Sequence, residues 1–171
     1  MKKLLLIPAL MAFCCALHAQ NFPALTGTTL EGKTINIPQQ TNGKYTLLGL
    51  TYSQKSQEAL SQWAQEIYDY FITDPAYDFN IYLVPMIGGV KGVAAGAVEK
   101  EMKKSLDPEL YKYFLLYVGE VASYKQSLKM GDKDVPYFFV LDKTGKIVYR
   151  TSGAYSDDKL EKIDEAIEAD E

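Results

Sequence analysis

The chain has 171 residues, 47% of them hydrophobic, and carries 18 lysines and arginines against 22 aspartates and glutamates for a net charge of −4. That length supports one domain with a real core. The acidic balance argues against a nucleic-acid binder and against attraction to anionic membrane surfaces.

Residues 1–19 read as an export signal. Lys2 and Lys3 form the positive start, and Leu4 to Ala16 form an apolar core too short to span a membrane comfortably. Leu17-His18-Ala19 ends on a small residue, so cleavage is expected before Gln20, leaving 20–171 as a single domain with no membrane attachment. The predicted address is the periplasm. A lipid anchor on Cys14 or Cys15 is the alternative, but Phe13 before Cys14 does not suit the small residue that a lipoprotein signal requires. These two cysteines and His18 are the only Cys and His of the whole chain. The expected mature domain has neither, although the periplasm permits disulfides.

Thr28 to Leu30 and Lys33 to Ile37 flank Glu31-Gly32, a tight hairpin turn, and Pro38 ends the pair. Tyr45 to Tyr52 is nearly continuous in apolar character, as a strand buried on both faces would be. The period then changes. Leu60, Trp63, Ala64, Ile67 and Phe71 mark one helical face, with Ser53 or Ser56 as the cap and Asp74-Pro75 as the stop. Phe79 to Met86 reads as a second buried strand ended by Pro85.

A long crossover runs from Ile87 to Val135. Ala95, Val98 and Met102 give one helical stripe. Asp107-Pro108 predicts the start of another helix, through Tyr117. Val121, Tyr124 and Leu128 give a third, closed by Gly131. Gly88, Gly92 and Gly96 are spaced for a close-packing helical face, although Gly88 and Gly89 suit a loop better. Tyr137 to Leu141 and Ile147 to Thr151 form a terminal hairpin about Asp142-Lys143-Thr144-Gly145. Ser156 caps a last helix with Leu160, Ile163 and Ile167 on its core face.

This order resembles the thioredoxin superfamily, in particular the TlpA and peroxiredoxin-like branch with its extra N-terminal hairpin. The segments carrying the resemblance are FPALTGTTLEGKTINIP, Leu50-Thr51-Tyr52-Ser53-Gln54-Lys55-Ser56, Val135-Pro136 and FVLDKTGKIVYRTSG. The resemblance implies an α/β thioredoxin-like fold: a central mixed sheet flanked by helices, an N-terminal β-hairpin, and a helical insertion in the crossover before a cis-proline at Val135-Pro136. It places Ser53 and Ser56 where relatives carry the Cys-x-x-Cys pair. Hydroxyls form no disulfide and supply no low-pKa thiolate. The polar run before Trp63 and the Tyr-rich crossover also resemble the mitochondrial ATP synthase assembly factor family, whose members act on a partner protein.

The expected function is that of an exported, redox-inactive protein that binds a protein or extended peptide in an assembly or chaperone-like role. The candidate partner-binding residues are Tyr52, Ser53, Gln54, Lys55, Ser56, Val135 and Pro136. A helix start offers free N–H groups and a positive dipole, and a cis-proline loop offers backbone for strand addition. Two alternatives stay open. One is a non-thiol enzyme using Ser53, Lys55 and Ser56, although neighbours on a helix start point apart. The other is a structural domain in which both serines are ordinary caps on a dead site. No catalytic residue, cofactor, metal or nucleic-acid partner is predicted, because Cys and His ligands, calcium-loop spacing and a G-x-G-x-x-G pattern are all missing.

Overall fold

In the computed structural model, which describes residues 20–89 and 93–169, the apolar stretches assemble into one seven-stranded sheet of order β2-β1-β5-β4-β3-β6-β7. The strands are β1 (Leu25–Thr29), β2 (Thr34–Ile37), β3 (Thr46–Thr51), β4 (Asn80–Gly88), β5 (Leu115–Gly119), β6 (Tyr137–Leu141) and β7 (Ile147–Ser152). The helices are α1 (Gln54–Ile67), α2 (Val93–Ser105), α3 (Ala122–Ser127) and α4 (Asp157–Glu168). The predicted export signal and Gly92 lie outside the described residues. Among those described, no helix is long and apolar enough to cross a membrane.

The predicted first hairpin forms, with Gly32 at φ 89° in its turn, and pairing begins earlier than expected at Leu25↔Ile37. β3 is buried along its whole length because it lies between β4, to which it is parallel, and β6, to which it is antiparallel. Pro85 does not end β4. It sits opposite Thr51, the last residue of β3, so the residue without an N–H falls where that partner strand runs out. Beyond it, β4 pairs with β5 from Met86↔Tyr117 to Gly88↔Gly119.

β5 corrects the predicted helix from Asp107 to Tyr117. The start signal acts as read: Asp107 accepts the Glu109 N–H, and Pro108 opens the turn. Only a short 3-10 helix, Pro108–Tyr113, follows. The chain then extends, with Leu115 facing one core and Leu116 the other. An apolar run this short fits a helix or a strand equally well, and tertiary pairing decides. Here the slot between β1 and β4 is filled only by an extended chain. β5 thereby joins the N-terminal hairpin to the main sheet.

Each sheet face carries its own core. Leu47, Leu83, Phe138 and Val140 meet α1 and α4 through Leu60, Trp63, Ile67, Leu160 and Ile163. On the opposite face Leu48, Leu50, Val84, Phe139 and Leu141 meet Tyr124 and Leu128 of α3 and its flank, together with Phe22. α1 ends in a π-helical turn, Tyr68–Ile72, whose Phe71 packs edge-on against Tyr77 and Phe79. Several tyrosines therefore serve the core and its border. α3 closes in the left-handed region at Lys129 (φ 53°), with Met130 N–H bonded to the Lys125 carbonyl, and not at Gly131 as the sequence suggests. Gly88 ends a strand and Gly96 faces open space, so they form no shared helical face.

The N-terminal end of the described chain is tied to the β6–β7 turn. The Gln20 carbonyl accepts from Ile147 N–H, and Phe22 N–H donates to the Gly145 carbonyl. Asp142 Oδ1 accepts the Thr144 and Lys146 N–H groups, and Gly145 takes φ 83°. A Cβ at Gly145 would lie 2.5 Å from the Pro38 Cβ, a ring atom that cannot swing away. Gly145→Ala is therefore expected to cost about 2–4 kcal/mol, from the left-handed backbone and the overlap together. Urea unfolding checks this. A loss below about 0.5 kcal/mol, the range of an ordinary surface change, would mean that the turn is not clamped against Pro38.

Candidate functional site

The chain leaves β3 at Thr51 and turns into α1 within two residues. Ser53 is extended (φ −145°, ψ 162°) and caps the helix. Its Oγ accepts the Ser56 N–H at 3.1 Å, while Ser56 Oγ accepts the Ser53 N–H at 3.1 Å. This reciprocal box satisfies two backbone donors that a helix start leaves free. The hydroxyl protons are also committed. Ser53 donates to the Lys133 carbonyl at 2.6 Å, and Ser56 donates to the Ser53 carbonyl at 3.0 Å. The two Oγ atoms lie 3.2 Å apart.

The facing loop, residues 130–136, is held to the same corner. Tyr52 donates to the Met130 carbonyl at 2.9 Å, and its ring lies 6.3 Å from that of Tyr137. Burial pushes the Tyr52 hydroxyl up to about 12, with Tyr137, Asp132 and Asp134 adding to the shift, so it stays a neutral donor. Lys55 Nζ pairs with Asp134 Oδ2 at 3.2 Å. Both side chains are substantially exposed, so the pair orients more than it stabilises. Lys55 thus turns to Asp134 and to neither serine.

The expected cis peptide at Val135-Pro136 is not present; among the described residues the cis bond is Ile37-Pro38. Trans is intrinsically favoured before proline by about 0.5–1 kcal/mol. The Tyr137 hydroxyl accepts the Asp132 N–H at 2.7 Å and donates to the Asp132 carbonyl at 2.9 Å. With Ser53 on Lys133, these bonds lead a trans chain directly into β6. The geometry expected of a cis-proline loop at Val135-Pro136 is therefore not the one adopted. Of the seven predicted site residues, Ser56 and Pro136 are buried, Tyr52, Ser53 and Val135 are half-buried, and only Gln54 and Lys55 are exposed. Sequence reasoning missed Asp132, Lys133, Asp134 and Tyr137; the Gly131-Asp132 turn chemistry was the available signal.

Gln54 leads from this corner into a cavity of about 610 Å³ between α1 and the segment from α2 through the 3-10 helix. Its floor is apolar: Leu60, Pro85, Met102, Leu106, Leu110 and Phe114. A second, more open cavity lies at the carboxyl ends of β4 and β5, lined by Gly88, Gly89 and Gly119, with Tyr52 and Lys125 at its border. Among the described residues no group of Cys, His, Asp and Glu is arranged to hold a metal ion.

The fold resembles several solved structures. The pneumococcal exposed lipoprotein thioredoxin of Streptococcus pneumoniae strain TIGR4 superposes with TM-score 0.56 at 22% identity, over 84% of this chain and 99% of that one. BsSco, of the Sco family of cytochrome c oxidase assembly proteins, gives 0.59 at 11% identity, over 88% and 95%. StoA from Bacillus subtilis gives 0.52 at 21%, over 83% and 96%. At these identities the likeness shows the fold alone, which is thioredoxin-like, as the order of elements implies. No curated protein matches the chain. A match to the ATP10 protein family runs from residue 11 to residue 169, nearly end to end, in keeping with the likeness to ATP synthase assembly factors carried by the polar run and the Tyr-rich crossover. The chain belongs to the ATP10 protein family.

Proposed function

We propose that the protein is an exported assembly factor that binds a partner polypeptide and performs no thiol redox chemistry. The observation that carries this reading is the corner at Ser53 and Ser56. Two hydroxyls stand where the resemblance places the redox pair; both close the helix cap, and Ser53 also reaches across to the Lys133 carbonyl. Membership of the ATP10 family supports the assembly role, and so does the shared fold of BsSco, an assembly-family protein. Export rests on the signal read in residues 1–19. The exposed Gln54 and Lys55 form the contact surface, while Tyr52, Ser53, Ser56, Val135 and Pro136 hold it in place. A Ser/Lys enzyme is disfavoured, since Lys55 engages Asp134 and Ser53 engages a backbone carbonyl.

A photo-reactive residue at position 55, exposed and outside the core, is expected to cross-link a defined polypeptide in cells. The exported protein is expected to begin at Gln20 by intact mass and to leave insulin disulfides intact at any pH. Insulin reduction above the buffer blank would end the redox-inactive reading. Absence of any adduct at position 55 would end the contact assignment.

A further inference from the structure

The cavity beside α1 is suited to a particular chemistry. Its floor is apolar, and the side chains that enter it from solvent are amides, hydroxyls and three carboxylates: Glu58 of α1, Asp107 at the cap of the 3-10 helix, and Glu109 within it. Among the described residues no lysine or arginine lines it. None of the three carboxylates belongs to an ion pair among the described residues. Two lysines of α2 are engaged elsewhere, Lys103 with Glu99 at 2.7 Å and Lys104 with Glu101 at 3.1 Å. An apolar floor rimmed by unpaired charge of one sign is complementary to an apolar segment flanked by charge of the other sign.

Glu58 and Gln54 are both exposed and sit on the first turns of α1, so the cavity opens next to the serine corner. Floor and walls come from fixed elements. Leu60 and Phe114 are buried in the core, and Pro85 is held in β4. Amide side chains of Gln54, Gln57 and Gln65 along one wall can both donate to and accept from a peptide backbone.

We infer that this groove is the docking site for a partner segment that inserts leucine-like side chains between α1 and the 3-10 helix and carries lysine or arginine against Glu58, Asp107 and Glu109. This rests on the partner-binding reading and adds the chemistry of the partner. The bound segment leaves water by its apolar side chains, which supply the attraction. Its basic flanks select sign and register.

The test uses the whole protein and a fluorescein-labelled Lys-Leu-Leu-Lys-Leu-Leu-Lys peptide read by fluorescence polarisation. Two comparison peptides replace every lysine by glutamate, or every leucine by serine. The basic apolar peptide is expected to bind at least about tenfold tighter than either, because each comparison removes one of the two complementary features. Glu58→Lys with Glu109→Lys is expected to weaken it about tenfold, since each reversal turns an attraction into a repulsion. Glu165→Lys with Glu168→Lys makes the same change in net charge on α4, which contributes nothing to the groove, and is expected to leave binding within about twofold. Thermal unfolding of both pairs confirms that they remain folded.

A photo-reactive residue at Gln65 is expected to cross-link the peptide. A cross-link from that position to the chain's own residues 1–19, or to a second copy, would overturn the partner assignment. Equal losses in the two charge-reversed pairs, equal binding of the three peptides, or no binding at all would overturn the groove. Each of those results leaves position 55 free to capture a partner, so failure of the groove is separable from failure of the partner-binding reading.

Discussion

Trp63→Ala is expected to lower the stability of the domain by about 4 kcal/mol, within the usual range for truncating a buried aromatic side chain. Trp63 is fully buried, and its ring centroid lies 4.1 Å from that of Phe138 and 5.3 Å from that of Tyr155. It is the contact through which α1 sits on β6 and the segment entering α4. Its Nε1 also donates to the Gly153 carbonyl at 3.0 Å. Alanine removes the volume, the ring contacts and the donor together. Trp63→Phe keeps most of the volume and loses the donor, so it is expected to cost less, about 1–3 kcal/mol. Because a domain has only about 5–15 kcal/mol in total, the alanine variant should show a visibly lower urea midpoint by circular dichroism. A loss below about 1 kcal/mol would mean that α1 does not seat on Phe138, and would undermine the position assigned to the serine corner.

Ser53→Cys with Ser56→Cys is the second large effect, expected in chemistry. The two Oγ atoms already lie 3.2 Å apart, at the start of a helix whose dipole stabilises a thiolate. The oxidised double variant should resist alkylation and lose the mass of two thiol hydrogens. Its reduced form should reduce insulin, which the unaltered chain is expected not to do. The same change removes the capping box and the tether to Lys133, so the reduced variant should be about 2 kcal/mol less stable than the parent. If both thiols stay free and reactive under oxidant, Ser53 and Ser56 do not occupy the positions of a redox pair.

Much of the fold was legible because local chemistry and tertiary demand agree. The run from Tyr45 to Tyr52 has the composition of a strand buried on both faces, and β3 is one. Leu60, Trp63 and Ile67 repeat at helical spacing and lie on the buried face of α1. Ser53 was readable as a cap because serine ahead of a helical period satisfies free N–H groups wherever it occurs. The same is true of Gly145, whose place follows from turn chemistry alone, without its contact with Pro38.

Where the reading failed, the deciding partner was distant in sequence. Leu115 to Gly119 carries no local instruction that separates helix from strand; β1 and β4, from far earlier in the chain, impose the extended form. Pro85 looked like a strand end because its own backbone lacks a donor, but the loss is harmless where β3 stops. The loop before Val135-Pro136 is held by the Tyr137 hydroxyl closing on Asp132 and by Ser53 reaching Lys133, neither visible in a dipeptide. The cavity beside α1 belongs wholly to this second class. Its carboxylates are separated by about fifty residues and become one rim only when the 3-10 helix packs beside α1. By itself the sequence determined the absence of thiols from residues 20–171, the placement of serines at a helix start, and the periods of most elements, because these are properties of neighbours along the chain. Only the tertiary structure decided that Ser53 tethers the loop at Lys133, that Val135-Pro136 is trans, and that an acidic apolar groove opens beside the serines, because each depends on which distant backbone groups and charges are brought into contact.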